Sequence, residues 1–457
     1  MAQKFLSSKN PHIIVIGGGI SGMAAACHLL DSGYRISLIE KRPYLGGKAF
    51  SFIDRETGQE VDNGQHVFLG CCTSYIEFLN QIGTLHHAHL QSNMEVTIID
   101  PNGKSSRLST SILPSPFHCL PSFLAYRHLS IWEKVLGIAT LFRLKYTNRS
   151  RQVFQEQSFY DWLKQNHQSD HSIENFWNII IKACANDDVQ SVDASIGMMI
   201  FQESMLKSKS GSRIGYAKVG LSPLMGQAAA RYIKDRHGRL LLGRSVSSIL
   251  FEDDTTVTGV RLDNGQTIES DAVISAIPPN DLAPLLSSST CALAYFSKLW
   301  SLSTAPIVNV HLWYNHPVMD DDFVAFVNSP LQWVFNHEAM IAGEGFEGHH
   351  VTISLSAAFD YIHLSKHEIQ TLMIQAMADA FPLANTAQIE RAMVIKQNTA
   401  TLRCLPGTNA LRPSATTPLN KLFLAGEWTD TGWPSTMESA VRSGIVAADA
   451  AATSMSK

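Results

Sequence analysis

The chain has 457 residues, a formal net charge of −4, and 45% hydrophobic against 17% charged residues. This composition supports a large buried core in about two to three domains and excludes an intrinsically disordered chain. The charge balance gives no reason to expect nucleic acid as a partner. Seven scattered cysteines without CxxC spacing read as reduced thiols of a cytoplasmic protein, the adjacent Cys71 and Cys72 included.

Residues 1–10 lack the apolar segment of a secretion signal, and no run of about 18 apolar residues occurs. The closest membrane contact expected is therefore peripheral, on the inner face. Residues 13–16 form a short apolar strand buried on both faces, followed by Gly17, Gly19 and Gly22 in GxGxxG spacing, a helix, and a second strand ending at Glu40. The first glycine permits the tight turn, the second lets a pyrophosphate approach the backbone, and the third lets helix and strand pack closely. Glu40 follows Gly17 by 23 positions, the spacing that sets an acid against a ribose hydroxyl. The pattern predicts a dinucleotide site and leaves NAD(P) and FAD both open.

Downstream, Gly46-Gly47-Lys48 is a second glycine pair, and residues 51–61 read as a hairpin or loop with Gly58 in its turn. Asp62-Asn63-Gly64 is a turn signal, and residues 75–82 a helix. Residues 94–110 form a hairpin around Pro101-Asn102-Gly103. Residues 112–147 are apolar, aromatic and proline-broken, with Arg127, Lys134, Arg143 and Lys145 against the single acid Glu133. They read either as a buried helix pair or as a basic amphipathic patch for an anionic membrane surface, and the two agree if the patch rings a tunnel mouth. Residues 153–207 are helical, with methionines and aromatics that pack a core or line a pocket for a long flexible apolar ligand. Strands are expected at 240–242 and 246–251, and 267–276 reads as one strand of a hairpin returning to the sheet. Residues 307–314, 323–327 and 349–356 predict a second, antiparallel sheet, 368–381 a helix, and 394–402 a further strand. His86, His87 and His89 read as a solvated loop, and Asp320-Asp321-Asp322 as a surface loop. Finally, residues 422–425 form a short strand, and Ser435-Thr436-Met437-Glu438 fits a capping box opening the last helix.

Three motifs then coincide: GxGxxG through Glu40 to Gly46-Gly47-Lys48, the strand ending in Ile277-Pro278-Pro279, and LFLAGEWTDTGWPSTMESAVRSG near the C-terminus. Together they resemble the FAD-dependent amine oxidase and phytoene desaturase superfamily over nearly the whole chain. Within it, DNGQHVFLGC (62–71) and GEWTDTGWPSTMESAVRSG look most like the hydroxysqualene dehydroxylases, also called squalene-associated FAD-dependent desaturases, with zeta-carotene desaturases close by. The resemblance implies an α/β fold: a discontinuous Rossmann-type FAD-binding domain (1–70, 212–285, 415–457) with an inserted α+β substrate domain (71–211, 286–414). It selects FAD as cofactor and implies roles. Gly17, Gly19, Ser21 and Gly22 cradle the pyrophosphate, and Glu40 takes the adenosine ribose. The Val246 backbone meets the adenine, and Lys48, Gly64 and Glu427 lie along the flavin side. Met437 presents a helix N-terminus to the flavin edge, where reduced flavin carries negative charge.

The implied reaction is reductive. The hydroxyl of a long apolar isoprenoid leaves with a proton, and hydride from reduced FAD replaces it, giving squalene. An unidentified electron donor reduces the flavin. Asp62 and His66 are the candidate proton donors; equally, Asp62 caps its own turn and His66 bonds a backbone carbonyl. Trp428 and Trp433 are either a wall beside the ring or packing. A carotenoid desaturase is the alternative, and a flavin amine oxidase fits less well.

Overall fold

The computed structural model describes residues 10–291, 293–341 and 349–455. Its first layer is a five-stranded sheet. The strands are β1 (His12–Ile16), β2 (Arg35–Glu40), β3 (Arg239–Leu242), β4 (Ala272–Ser275) and β5 (Leu422–Leu424), in the order β3-β2-β1-β4-β5 and all parallel. Ile13, Ile14 and Val15 are wholly buried, as a continuous apolar run in a sheet covered on both faces must be. Helix α1 (Ile20–Asp31) links β1 to β2, and α2 (Met437–Met455) lies along it. Small residues let the two helices approach: a Cβ on Gly444 would stand 2.3 Å from the Ser21 carbonyl oxygen, and Ala24, Ala25, Ala447 and Ala448 are buried around it.

Residues 267–276 do not form one strand. Thr267–Glu269 closes an antiparallel meander with Val246–Phe251 and Val257–Leu262, and the chain turns at the polar Ser270-Asp271 before entering β4. There the Asp271 carboxylate accepts the His12 N–H at 2.7 Å, which fixes where β4 begins against β1.

The second sheet has seven strands in the order Ile389–Leu402, Thr304–Tyr314, His349–Leu355, Trp333–Asn336, Phe323–Phe326, Glu95–Ile99 and Ser105–Ser109. All pairs are antiparallel except Phe323–Phe326 with Glu95–Ile99, so the 94–110 hairpin completes the sheet from a distant part of the chain. Period-two alternation splits the second strand of this order, Thr304–Tyr314. Val308, Val310 and Leu312 pack with Met373 and Met377 of the helix Lys366–Ala380. Asn309, His311 and Trp313 face the other way, and Trp313 Nε1 donates to Gln59 Oε1 at 3.0 Å.

A helical lobe over 117–206 packs Phe159, Phe176, Trp177 and Phe201 as a ring cluster, and burying each such side chain contributes about 1.5–3 kcal/mol. The buried-pair reading of 112–147 is corrected on one face. Helix Ile131–Tyr146 buries only Gly137, Thr140 and Leu144, and Ile131, Trp132 and Tyr146 are 74–78% exposed. Among the described residues, no helix is long and apolar enough to cross a membrane.

Candidate functional site

The glycine turn between β1 and α1 is built by backbone crowding. A Cβ on Gly22 would lie 1.9 Å from the Gly17 carbonyl oxygen, and Gly17 itself sits at φ +103°. Gly46 N–H donates to the Gly18 carbonyl at 2.8 Å, and a Cβ on Gly47 would meet Gly19 Cα at 2.7 Å, so the second glycine pair seats directly on the first turn. Gly19 is the exception: a Cβ there would find nothing nearer than Gly47 Cα at 3.8 Å. Helix α1 also has no side-chain cap and no acid in its first turn, although Ser21 is buried there. Its first N–H groups and the space over Gly19 therefore fit a pyrophosphate.

Glu40 ends β2 beside this turn and is 7% exposed. Its carboxylate accepts Gly18 N–H at 2.6 Å and Arg42 N–H at 2.8 Å, which holds the acid at the turn where a ribose would follow the phosphates. The chain leading to Val246 passes the same place, since Arg244 N–H donates to the Glu40 carbonyl at 3.1 Å.

Lys48 and Glu427, 379 positions apart, form an ion pair at 2.8 Å. Burial pushes the Glu427 carboxyl up, but the charge and hydrogen bond of Lys48 outweigh it and hold the group below its ordinary range. The loop after β5 is fixed by Arg412, which sequence reasoning missed. Its buried guanidinium donates to the carbonyls of Thr429 at 2.5 Å, Trp433 at 2.8 Å and Glu427 at 3.1 Å. A lone arginine among ordinary residues carries no pattern that announces this. Trp428 is buried in the core with Ile16, Ile39 and Leu422, whereas Trp433 is half-buried beneath the Arg442 guanidinium.

The capping box expected at 435–438 is not formed. Thr436 Oγ1 accepts Ser439 N–H at 3.2 Å and is the cap, one residue later than Ser435. Ser435 Oγ instead accepts Leu402 N–H. Glu438, 1% exposed, reaches across to the N-terminus of another helix, Thr73–Gln81, accepting Ser74 N–H at 3.2 Å and Tyr75 N–H at 2.8 Å, with Arg442 at 2.6 Å. The carboxylate thus neutralises the orphan donors of a partner helix. Met437 remains the first residue of α2, so its N–H lies ahead of the capped one.

Asp62 and His66 flank the turn that packs on the second sheet. A Cβ on Gly64 would stand 2.4 Å from Asn309 Nδ2, so this segment packs tightly on the second sheet. Gln65 Oε1 and Asn309 Oδ1 are both buried without a hydrogen-bond partner among the described residues, an arrangement that fits a further polar group beside Gly64. Asp62 does not cap its own turn. Its Oδ1 accepts Leu221 N–H at 2.9 Å and Ser51 O–H at 2.8 Å, while Oδ2 has no hydrogen bond among the described residues. Burial raises the Asp62 carboxyl to about 7, against the opposing hydrogen bonds from Leu221 and Ser51. His66 Nδ1 donates to the Gly64 carbonyl at 2.8 Å, and burial lowers its pKa, so the ring is neutral.

An apolar cavity with about 740 Å³ of space, its open mouth included, lies between the second sheet and the helical lobe. Met94, Leu108, Phe123, Phe142, Phe176 and Met205 are among its lining residues, and Lys145 is the only charged one among the described residues. Its rim carries the exposed Phe117 and Phe142, close in sequence to Ile112, Trp132 and Tyr146.

The sequence model of the family described as flavin containing amine oxidoreductase matches residues 20–452. The chain is 24% identical to the 15-cis-phytoene desaturase of Synechococcus elongatus over 96% of this chain and 95% of that protein. It is 25% identical to the zeta-carotene desaturase of Zea mays, covering 94% and 82%. Among solved structures it superposes on a putrescine oxidase variant (TM-score 0.76, 16% identity, covering 97% and 99%) and on the cyclohexylamine oxidase of Brevibacterium oxydans (TM-score 0.70, 18% identity, covering 98% and 100%).

Proposed function

We propose a reaction for this chain from the premise that it belongs to the flavin containing amine oxidoreductase family and is an FAD-dependent oxidoreductase: it removes the hydroxyl of hydroxysqualene reductively to give squalene. The observation that supports this best is Asp62, a half-buried carboxyl raised to about 7, two residues before Gly64, which packs on Asn309 of the second sheet. Expelling hydroxide from carbon is slow unless the oxygen takes a proton as the bond breaks. A carboxyl half-protonated at neutral pH, with Oδ2 unengaged, is a suitable donor. His66 is less suited, because its proton already lies on the Gly64 carbonyl and burial opposes a second one.

Bound FAD supplies hydride chemistry. The residues around its expected place fit that task. The turn at Gly17–Gly22 and the uncapped start of α1 hold phosphates, Glu40 the ribose, and the N-terminus of α2 stabilises negative charge on the reduced cofactor. The apolar cavity suits the long hydrocarbon of such a substrate, and its described lining residues are distinct from the Asp62–His66 segment and from the turns expected to hold FAD. Its exposed rim, with Arg127, Lys134, Arg143 and Lys145 in the same segment, suits an anionic bilayer from which such a substrate would come.

A second reading is desaturation of a carotenoid, favoured by the phytoene and zeta-carotene desaturases among the relatives. Product analysis separates the two. The reduced holoprotein should convert hydroxysqualene to squalene under nitrogen. Desaturation of phytoene or zeta-carotene by the oxidised protein, with hydroxysqualene untouched, would reverse the assignment.

A further inference from the structure

Three histidines remain outside this account. His311 is on the long strand Thr304–Tyr314, His350 on its neighbour His349–Leu355, and His337 follows Trp333–Asn336. All three are at most 7% exposed, and their ring nitrogens lie within 4.8 Å of one another. His311 Nδ1 is 3.0 Å from His350 Nε2 and 3.0 Å from Thr352 Oγ1, and Thr352 Oγ1 is 2.8 Å from His337 Nε2. An imidazole nitrogen brings either one N–H or one lone pair, so His311 Nδ1 cannot make two full hydrogen bonds. His311 Nε2 is buried with no hydrogen-bond partner among the described residues.

We propose that His311, His337 and His350 form a binding site for one late first-row divalent metal ion of the zinc class, with Thr352 Oγ1 or solvent in the fourth position. Three neutral imidazoles and one exchangeable position are a donor set such ions take. The His337 and His350 rings are stacked at 4.2 Å, so metal capture turns the His337 ring about its soft outer torsion. The ion ties together the ends of three chain segments on the sheet face that also carries Asn309, which packs on Gly64. No sequence spacing signals the site, because the residues meet only through strand pairing. The proposal is independent of the substrate assigned above.

The test uses full-length FAD-loaded protein, stripped with chelator, incubated with Zn²⁺ or Co²⁺ and desalted. One equivalent of metal per chain is expected, with Co²⁺ showing d–d bands to the red of the flavin absorption. His311→Ala, His337→Ala and His350→Ala should each weaken binding by at least about 100-fold at unchanged flavin content, while the double substitution of His86 and His87 by Ala leaves it intact. Should those variants fail to fold, X-ray absorption of the zinc-loaded wild type decides: a nitrogen shell with imidazole scattering is expected. Absence of stoichiometric metal, sulfur ligation, or equal binding by the three variants overturns the site.

Discussion

In the parallel-sheet region, the turns expected to approach the cofactor join neighbours in the chain: Gly22 crowds the Gly17 carbonyl, Gly19 leaves its space open, and Gly46-Gly47 close on the turn from a short distance downstream. On the second sheet the polar residues that meet come from far apart. Asn309 meets Gly64, and His311 and His350 meet across 39 positions. The glycine turn of the first region is written in local backbone geometry and leaves no room for an added atom at Gly17, Gly22 or Gly47. The second is written in strand register, and its side chains can change while the fold persists. Two sheets with such different constraints suit a constant cofactor beneath an adaptable substrate chamber.

The difference is broken most severely at Gly22. Gly22→Ala places a methyl group 1.9 Å from a backbone oxygen that cannot move away, so the purified protein should carry almost no flavin, read as absorbance per chain. A yellow, stoichiometric variant would show the turn to be less rigid than its geometry.

On the other side, Asp62→Asn should leave flavin content intact and lower turnover by about 10²–10⁴-fold, the usual contribution of a general acid. Wild-type turnover should fall as pH rises through about 7, and the variant should lack that limb. Stability follows the same titration. The folded value lies above the unfolded one near 4, so the native state holds the extra proton, and stability declines between about pH 4 and 7 before levelling off. Urea titrations of wild type and variant across that range check the slope, which Asp62→Asn should flatten.

Arg412→Ala tests the long-range support of the C-terminal loop. It strands three carbonyls and should lower unfolding free energy by about 3 kcal/mol, with flavin affinity reduced as the loop loosens. Glu438→Gln is milder. It keeps one acceptor for Ser74 and Tyr75 but loses the charge, and about 1–2 kcal/mol in chemical denaturation is expected. The smallest effect belongs to Trp132→Ser, which should reduce co-sedimentation with anionic vesicles several-fold while leaving the fold unchanged.

These contrasts explain what could be read in the sequence. The glycine spacing, Glu40, the hairpins expected at 51–61 and 94–110 and the helix expected at 368–381 rest on short-range rules, and the structure has these elements within two residues of those bounds, at 51–62, 95–109 and 366–380. The capping box at 435–438 failed because Glu438 had two competing sets of N–H donors, and the one on the Thr73–Gln81 helix is invisible until the chain folds. The Ser270-Asp271 break shows the reverse, a polar pair inside an apolar run whose role depends on the His12 amide. Arg412 and the three histidines had no local signature at all, since their partners are carbonyls and rings brought together by register.

The most direct test of the assigned reaction is a single turnover. Protein reduced under nitrogen in D₂O is mixed with one equivalent of hydroxysqualene, following flavin absorbance and the mass of the product. The account predicts reoxidation of one flavin per squalene formed, with one deuterium in the product, and a rate that falls by about 10²–10⁴-fold in Asp62→Asn. A flavin that stays reduced in the presence of hydroxysqualene, or squalene formed equally fast by Asp62→Asn, would contradict it.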